Sequence, residues 1–198
     1  MVIKTFQQAR QQLEPFKPRK KWYRRWVKRS AVALILRQTG TGLETLMIKR
    51  ADREGDPWSG HMAFPGGRGE LEDTNSLHTA RRETREEIGL DTDQHTEYLG
   101  RLSDIGIPRF RGHHRMVVTP YLFTIDQVPE LNLNHEVAEV IWVPLAFLAD
   151  NNNREQMQWK IRDMMRDIPC YFFEEKRIWG MSLMMLDELV GLVRLPPG

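Results

Sequence analysis

The sequence has little of what marks a secreted or membrane protein. Cys170 is the one cysteine among 198 residues, so an internal disulfide is excluded. The longest uninterrupted apolar run covers residues 31–36, whereas a helix that spans a bilayer needs roughly 20 residues. The opening segment, MVIKTFQQARQQ, lacks the apolar stretch and small-residue cleavage site of a secretory signal. We therefore predict a globular protein of the reducing cytoplasm, with no membrane partner, whose 40% apolar content suffices for one core.

Acidic residues are scarce in the first 30 positions, which hold ten Lys or Arg against one acid, Glu14, for a balance of +9. The densest part, KPRKKWYRRWVKR, interleaves Trp22, Tyr23 and Trp26 with cations, a pattern that can bind phosphates or stack on bases. An arm that packs its aromatic rings on the domain or on a second subunit is the favoured alternative, because such charge runs are common without a nucleic-acid role. We predict a basic N-terminal arm with a short helix over residues 1–29 and one domain over 30–198, and we expect no nucleic-acid partner.

The order of elements indicates strands, one helix and then more strands. Residues 5–14 predict a short polar helix, and a Gly/Pro-rich stretch covers residues 55–69. Strand patterns occur at SAVALILRQ and LETLMIKR, which should form a hairpin, and at EYLGRL, RMVVTPYLFTI, EVAEVIWV, QMQWKI and PCYFF. The segment MSLMMLDELVGLV predicts a final helix with a buried stripe of Met181, Met184, Met185 and Leu189. The coarse prediction is a single mixed α/β or α+β domain with helices on both faces of a sheet.

A charged helix follows the glycine pair in GGRGELEDTNSLHTARRETREEIGL. At about 100° per residue, its predicted buried stripe consists of Leu77, Ala80, Thr84 and Ile88. Glu83, Glu86 and Glu87 share a neighbouring arc, because residues three and four apart lie on one helix face. Like charges at this spacing repel one another unless a cation is shared, and Mg²⁺ or Mn²⁺ takes carboxylate oxygens. A solvated helix face and a divalent-metal site both remain open on spacing alone.

Both ends of this helix carry the expected signals. Residues 73–75 offer capping side chains at the start, and Gly89 suits a left-handed residue at the end. Arg82 lies four residues before Glu86, at the spacing that allows it to hold that carboxylate. The preceding glycines would let the backbone approach the same ion without a Cβ in the way.

The segment resembles the signature of the Nudix hydrolases, G-x5-E-x7-R-E-U-x-E-E-x-G-U, in which U is a bulky aliphatic residue. Three positions depart from it: Asp73 replaces the first Glu, eight residues instead of seven separate it from Arg82, and Thr84 stands at an aliphatic position. None of these changes removes an acid of the helix. The matching residues are Gly67, Arg82, Glu83, Glu86, Glu87, Gly89 and Leu90.

Upstream of this box the chain is similar to the coenzyme A pyrophosphatase branch of the family, whose pattern is close to L-L-T-x-R-S-x3-R-x3-G-x3-F-P-G-G. In LMIKRADREGDPWSGHMAFPGG, the agreeing residues are Leu46, Arg50, Gly60 and Phe64 to Gly67. Ile48 and Ala51 replace the Thr and the Ser, and Asp56 stands at the second Arg. The similarity covers roughly residues 31–190, and the basic arm lies outside it.

The resemblance implies an α/β/α sandwich with a mixed sheet and with the catalytic helix after a Gly-Gly loop. It implies metal-dependent hydrolysis of a nucleoside diphosphate linked to another group, with Mg²⁺ or Mn²⁺ as cofactor and a small-molecule nucleotide as substrate. The implied metal ligands are Glu83, Glu86, Glu87 and the Gly66 carbonyl, with Arg82 orienting Glu86. Family habit also leaves a homodimer open.

The remaining roles are assigned less directly. The resembling branch carries a Glu at position 136, so the resemblance implies Glu136 as the first choice for the general base, with Glu139 second; both could instead be solvated loop and strand residues. Glu83 itself is a base in some relatives. Arg50 and Arg53 are candidates to bind the substrate phosphates. Further polar or aromatic candidates, for which a solvated or packing role is equally open, are Trp58, Arg109, Arg111, His113, His114 and His135.

Three functions are therefore compared. Hydrolysis of coenzyme A or acyl-coenzyme A is the leading prediction. Asp56 in place of Arg motivates an alternative substrate, namely a nucleoside diphosphate sugar, ADP-ribose or a dinucleotide. A non-catalytic nucleotide- or RNA-binding regulator would use the basic arm, but the intact trio of glutamates argues against it.

Overall fold

A computed structural model describes residues 5–55, 58–107, 115–161 and 164–193 of the chain. Its helices are α1 (Phe6–Leu13), α2 (Ser76–Ile88), α3 (Thr92–His95), α4 (Leu145–Ala149) and α5 (Gly180–Val193). Its strands are β1 (Lys28–Thr39), β2 (Gly42–Arg50), β3 (Met62–Ala63), β4 (Gly66–Arg68), β5 (Glu97–Arg101), β6 (Ile105–Ile107), β7 (Met116–Ile125), β8 (Val137–Pro144), β9 (Arg154–Ile161), β10 (Met164–Phe173) and β11 (Lys176–Trp179).

The main sheet is mixed, and its centre opens to admit the segment that leads to α2. β1 and β2 form the predicted antiparallel hairpin near its turn and then diverge. Residues 62–68 enter the gap: β3 pairs with β2, and β4 pairs with β1. β1 also runs parallel to β7, while β8 pairs with the other edge of β2. The chain therefore enters α2 from the middle of the sheet.

Helices cover both faces of this sheet. On one face α2 packs Ala80 and Ile88 into an apolar cluster with Ile48 and Phe123. On the other face α1, α4 and α5 enclose a larger cluster, in which β10 and β11 of a second, three-stranded sheet also take part. This arrangement confirms the predicted α/β/α sandwich.

Local chemistry explains where α2 begins and ends. The Asn75 side chain accepts hydrogen bonds from the backbone N–H groups of Leu77 and His78, at 2.9 and 3.0 Å. Gly89 ends the helix with φ of 71°, a left-handed conformation that favours glycine. Thr84 is fully buried, and its hydroxyl donates to the Ala80 carbonyl at 2.7 Å. The departure of Thr84 from the aliphatic signature position is thus accommodated by a hydrogen bond within the helix.

One prediction about the final helix is wrong. Met184, which was assigned to the buried stripe, is 56% exposed. The buried face of α5 instead consists of Leu183, Met185, Leu186, Leu189, Val190 and Val193. Because apolar residues surround most of α5, their periodicity did not identify the buried side.

The N-terminal segment lies against the domain. Ala9 of α1 is fully buried in the larger cluster, and the Lys21 N–H donates to the Asp104 carboxylate at 2.9 Å. Tyr23 lies over Gly106, where an added Cβ would come within 2.2 Å of its hydroxyl oxygen. Trp22 and Trp26 remain 78% and 66% exposed. The division of the chain at residue 29 stays a prediction.

In the part of the chain that the structure describes, no helix is both long and apolar enough to cross a membrane.

Candidate active site

The site begins where the glycine pair lies against α2. The Gly66 N–H donates to Oε2 of Glu87 at 2.8 Å. A Cβ at Gly66 would lie 2.3 Å from the Ala31 carbonyl oxygen, and a Cβ at Gly67 would lie 2.3 Å from Oε1 of Glu83. Position 66 has no room for a side chain, and a side chain at position 67 would displace the Glu83 carboxylate. The two glycines therefore allow the strand backbone to approach two carboxylates of the helix.

Arg82 connects the acids on the outer side of the helix. Its guanidinium donates to Glu83 and Glu86 at 3.0 Å each, so the contact expected between Arg82 and Glu86 is present. It also donates twice to Asp73 at 3.1 Å and to the Arg68 carbonyl at 3.0 Å. The Asp73 side chain is only 3% exposed, and these bonds from Arg82 hold its pKa well below the usual range. Asp73 thus fixes Arg82, a role that the sequence did not reveal.

Burial is the largest influence on the pKa values of Glu83 and Glu87, the two acids of α2 that lie next to the glycine pair. Glu87 is 3% exposed, and loss of solvent raises the pKa of its carboxyl to about 8, although the Gly66 N–H opposes this shift. Repulsion from Glu83 and Glu136 adds to it, and attraction from Arg50 reduces it. Burial is also the largest cause of a raised pKa at Glu83. In the metal-free protein, Glu87 is therefore mostly protonated at neutral pH.

The loop before β8 brings Glu136 to the end of the same helix. The N–H groups of Asn132 and Asn134 donate to the Ile88 and Glu87 carbonyls at 3.0 and 2.9 Å, which satisfies the last turn of α2. The Asn134 side chain accepts from the Glu136 N–H at 2.8 Å. Neither asparagine was singled out from the sequence, because isolated Asn residues in a loop carry no distinctive pattern.

Arg50 and Glu136 line one small pocket together with Ala51, Asp52, Arg53 and His135. The backbone fixes this pairing, since the Ala51 N–H donates to the Glu136 carbonyl at 2.8 Å. Arg53 approaches the Glu136 carboxylate at 3.7 Å while 58% of its side chain stays exposed. Three of the residues predicted for substrate or base roles therefore meet at one edge of the sheet, next to Glu87.

The other candidates lie elsewhere or outside the described residues. Glu139, the second choice for the base, forms an ion pair with Lys176 at 3.1 Å. His135 is 75% exposed and reaches Glu136 only at 3.9 Å. Asp56 and the predicted binding loop with Arg109, Arg111, His113 and His114 lie outside the described residues.

The acids of the helix fit a hard divalent cation by their chemistry. Within the described ranges, no three His, Cys, Asp or Glu side chains converge as a ready-made ligand set, because Arg82 holds Glu86 and Gly66 holds Glu87. However, the Glu83 carboxylate occupies the space that a Cβ of Gly67 would fill, and burial raises the pKa of Glu87 although Arg50 attracts its charge. Two poorly solvated carboxylates side by side are the oxygen donors that Mg²⁺ or Mn²⁺ prefers.

Comparison with known families agrees with this architecture. Residues 27–168 match the model of the NUDIX domain, so the chain belongs to the Nudix family. This membership confirms the predicted family, and with it the prediction of a Nudix-type enzyme.

Two sequence relatives illustrate the range of similarity. An uncharacterized protein of Schizosaccharomyces pombe is 39% identical over 106 residues, which is 52% of this chain but only 32% of that protein. The human mitochondrial coenzyme A diphosphatase NUDT8 is 28% identical over 174 residues, covering 85% of this chain and 70% of that one. Among solved structures, a Nudix hydrolase described as putative, from Listeria monocytogenes, is similar with a TM-score of 0.51 and 23% identity, over 82% of this chain and 91% of that one. At this identity, the structural likeness supports the fold alone.

Gly67→Ala should weaken metal binding with little loss of stability. The new Cβ would meet the flexible end of Glu83 and displace its carboxylate, whereas the backbone itself can accept alanine. We expect affinity for Mn²⁺, followed by the electron paramagnetic resonance of the free ion, to fall about tenfold or more. Gly69→Ala is the matched control, because its Cβ would find its nearest neighbour at an ordinary 3.5 Å. Equal Mn²⁺ affinity in both variants would contradict a metal site at the Glu83 carboxylate.

Glu87→Gln should stabilise the metal-free protein in a pH-dependent way. The folded-state pKa of about 8 exceeds the ordinary value of 4.5, so folding takes up a proton between these pH values and stability falls as the pH rises through that window. Gln has no charge to bury and can still accept from Gly66. In chelator-treated protein we expect the variant to match wild type near pH 4.5 and to exceed it by about 2 kcal/mol or more above pH 8. Urea unfolding at several pH values measures this, and a difference independent of pH would be inconsistent with a buried Glu87 carboxylate.

Proposed function

We propose that this chain hydrolyses the diphosphate linkage of a nucleoside diphosphate derivative, with Mg²⁺ or Mn²⁺ as cofactor. Coenzyme A or an acyl-coenzyme A is the leading substrate. The observation that carries the proposal is the meeting of the buried Glu87 and the partly buried Glu83 with the glycine backbone, beside the pocket of Arg50 and Glu136. Carboxylates for a cation and an arginine for a phosphate are the two charges that diphosphate hydrolysis requires.

The proposed metal ligands are Glu83, Glu86, Glu87 and the Gly66 carbonyl. A divalent ion bound there would neutralise phosphate oxygens and lower the pKa of an attacking water. Arg82 holds Glu86 through a 3.0 Å hydrogen bond and is itself fixed by Asp73, so it acts as a positioning residue.

Phosphate binding and the general base are assigned to the pocket that Arg50 and Glu136 line. Arg50 and Arg53 are proposed to bind phosphate oxygens, Arg53 from its exposed position at the pocket mouth. Glu136 is proposed as the base that takes a proton from the attacking water. The Glu136 side chain is 37% exposed, so water can reach it, and hydrogen bonds of the Glu136 backbone with Ala51 and Asn134 restrict its position. Glu83 remains the alternative base.

The choice of substrate rests on similarity in sequence. The upstream pattern around Arg50 and the match to human coenzyme A diphosphatase over 85% of this chain favour coenzyme A. Asp56, where the branch has Arg, is the reason to keep nucleoside diphosphate sugars, ADP-ribose and dinucleotides as alternatives.

A substrate panel with and without Mg²⁺ tests the proposal. The panel contains coenzyme A, acetyl-coenzyme A, ADP-ribose, a nucleoside diphosphate sugar and a diadenosine polyphosphate, and products are separated by chromatography. We expect cleavage of the coenzyme A compounds, its loss with a chelator, and a fall of about a hundredfold or more in Glu86→Gln, since this change removes a metal ligand. Cleavage of another class alone would reassign the substrate. Unchanged turnover in Glu86→Gln would contradict the proposed metal-dependent mechanism.

Glu136→Gln and Glu139→Gln form a matched pair that tests the base. The first change removes a carboxylate next to Glu87 and Arg53, and the second removes one that is paired with Lys176 outside the pocket. We expect kcat to fall about 10²- to 10⁴-fold in Glu136→Gln and to change little in Glu139→Gln. A Glu136→Gln enzyme with normal kcat would transfer the role to Glu83.

A further inference from the structure

The basic N-terminal arm carries two exposed indole rings that the proposed diphosphate site does not use. Trp22 and Trp26 are 78% and 66% exposed, and their ring centroids lie 5.8 Å apart. Of the three rings in residues 22–26, Tyr23 packs on the domain, over Gly106. Neighbouring large apolar side chains that stay exposed indicate a surface that another molecule covers. We call Trp22 and Trp26 together the indole pair.

The segment that carries the indole pair is fixed to the domain by the buried Asp104. The Lys21 N–H donates to the Asp104 carboxylate at 2.9 Å, and the Asp104 N–H donates to the Arg19 carbonyl at 2.9 Å. The Arg24 guanidinium reaches the same carboxylate at 3.7 Å. The Asp104 side chain has no exposed surface, so water does not compete for these contacts. The indole pair is therefore held in a defined position on the surface.

Cations surround the indole pair, and no acid accompanies them in the sequence. Residues 17–29 hold eight Lys or Arg and no Asp or Glu. Arg24 contacts Asp104, and Arg19 reaches Glu188 only at 4.0 Å. The other six are exposed and form no ion pair with any described residue, namely Lys17, Lys20, Lys21, Arg25, Lys28 and Arg29. A partner that complements this surface is anionic and can take up apolar rings.

We propose that the arm binds the surface of an anionic lipid bilayer, with the indole pair at the level of the head groups and the cations on the lipid phosphates. Tryptophan concentrates where lipid meets water, because its ring has an apolar body and a polar N–H. Lys and Arg add attraction to anionic head groups. The proposal is independent of the proposed hydrolase function. It revises the sequence-based expectation of no membrane partner, which rested on the lack of a spanning segment, because a peripheral contact needs none.

The arrangement of the rings favours a lipid surface over a nucleic acid. A nucleobase stacks on an open ring face that lies parallel to it. Trp22 instead meets Tyr23 and Trp26 at interplanar angles of 88° and 70°, so these rings form no parallel slot. The Arg25 guanidinium lies 5.0 Å from the Trp26 ring centroid and covers one face of that ring. A compact apolar pair within a set of cations matches a bilayer, whose apolar and anionic groups lie in adjacent layers.

Co-sedimentation of the full chain with lipid vesicles tests the proposal. We expect wild type to sediment with vesicles of mixed phosphatidylcholine and phosphatidylglycerol, and to stay in solution with phosphatidylcholine alone, because the cations require an anionic surface. In Trp22→Ser/Trp26→Ser the partition coefficient should fall about tenfold or more, since two apolar rings are lost at unchanged charge. Trp159→Ser is the matched control. Trp159 is 37% exposed on β9, in the second sheet, and its replacement should change the partition coefficient little.

A second pair of variants tests the cations. Lys20→Gln/Lys28→Gln should lower binding to the mixed vesicles roughly twentyfold, because each Lys or Arg at an anionic surface contributes about a fivefold factor. Lys160→Gln/Arg166→Gln is the control, since it removes two exposed charges of β9 and β10 and changes the net charge equally. We expect this control to bind nearly as well as wild type.

Several results would overturn the proposal. The first is wild type that does not sediment with the mixed vesicles. The second is unchanged binding in Trp22→Ser/Trp26→Ser, or an equal loss in the two charge variants, which would indicate attraction to the whole protein. In the absence of vesicle binding, affinity for a labelled uridine oligonucleotide that depends on the indole pair would assign the arm to nucleic acid. A wild-type dimer that dissociates in Trp22→Ser/Trp26→Ser, measured by analytical ultracentrifugation, would assign it to a second copy.

Discussion

The hydrogen bond from the Gly66 N–H to the buried Glu87 carboxylate is the interaction around which the site is built. It requires that the strand lie directly on the helix, where a side chain at residue 66 would collide with the backbone of β1 and one at residue 67 would displace the Glu83 carboxylate. It also requires that β1 and β2 separate, so that the segment of residues 62–68 can enter between them. The opening of the sheet and the glycine pair therefore serve a single contact.

Burying an acid opposes folding, and the surroundings of α2 offset part of that cost. Arg82 neutralises Glu83 and Glu86 on the outer side of the helix and is itself anchored by Asp73. A guanidinium can do this because its five donors reach several acceptors at once, whereas the ammonium of a lysine would not hold the same planar geometry. At the other end, the backbone of Asn132 and Asn134 satisfies the last carbonyls of the helix and carries Glu136 to the site. The same helix thus orders both halves of the proposed catalytic machinery.

Much of this architecture follows from sequence periodicity and from a few local signals. The long strands, the hairpin of β1 and β2, and α2 with its ends at Asn75 and Gly89 were predictable, because each has a clear period or a specific cap. The short strands β3 and β4 were missed, since two or three residues in a Gly/Pro-rich stretch show no alternation. Met184 was placed on the wrong side of α5 because that helix is apolar nearly all round.

The site was predicted in part for similar reasons. Residue spacing predicted that the three glutamates and Arg82 lie together on one helix, because this grouping depends on helix geometry alone. The meeting of Arg53 with Glu136 joins residues 83 positions apart in the chain, and such long-range contacts depend on how strands are arranged in the sheet. Likewise, the role of Asp73 emerges only from its two hydrogen bonds with Arg82 and its burial.

The proposed site depends on a divalent cation that neutralises the Glu87 carboxylate in place of the proton that this carboxyl otherwise holds. Proton release on metal binding tests this proposal most directly. Titration of Mn²⁺ into the metal-free protein, by calorimetry in buffers of different ionisation enthalpy, counts the protons released. With the pKa of Glu87 raised to about 8, the account predicts release of close to one proton per ion at neutral pH and almost none well above pH 8. Binding of Mn²⁺ at neutral pH with no proton release would contradict it.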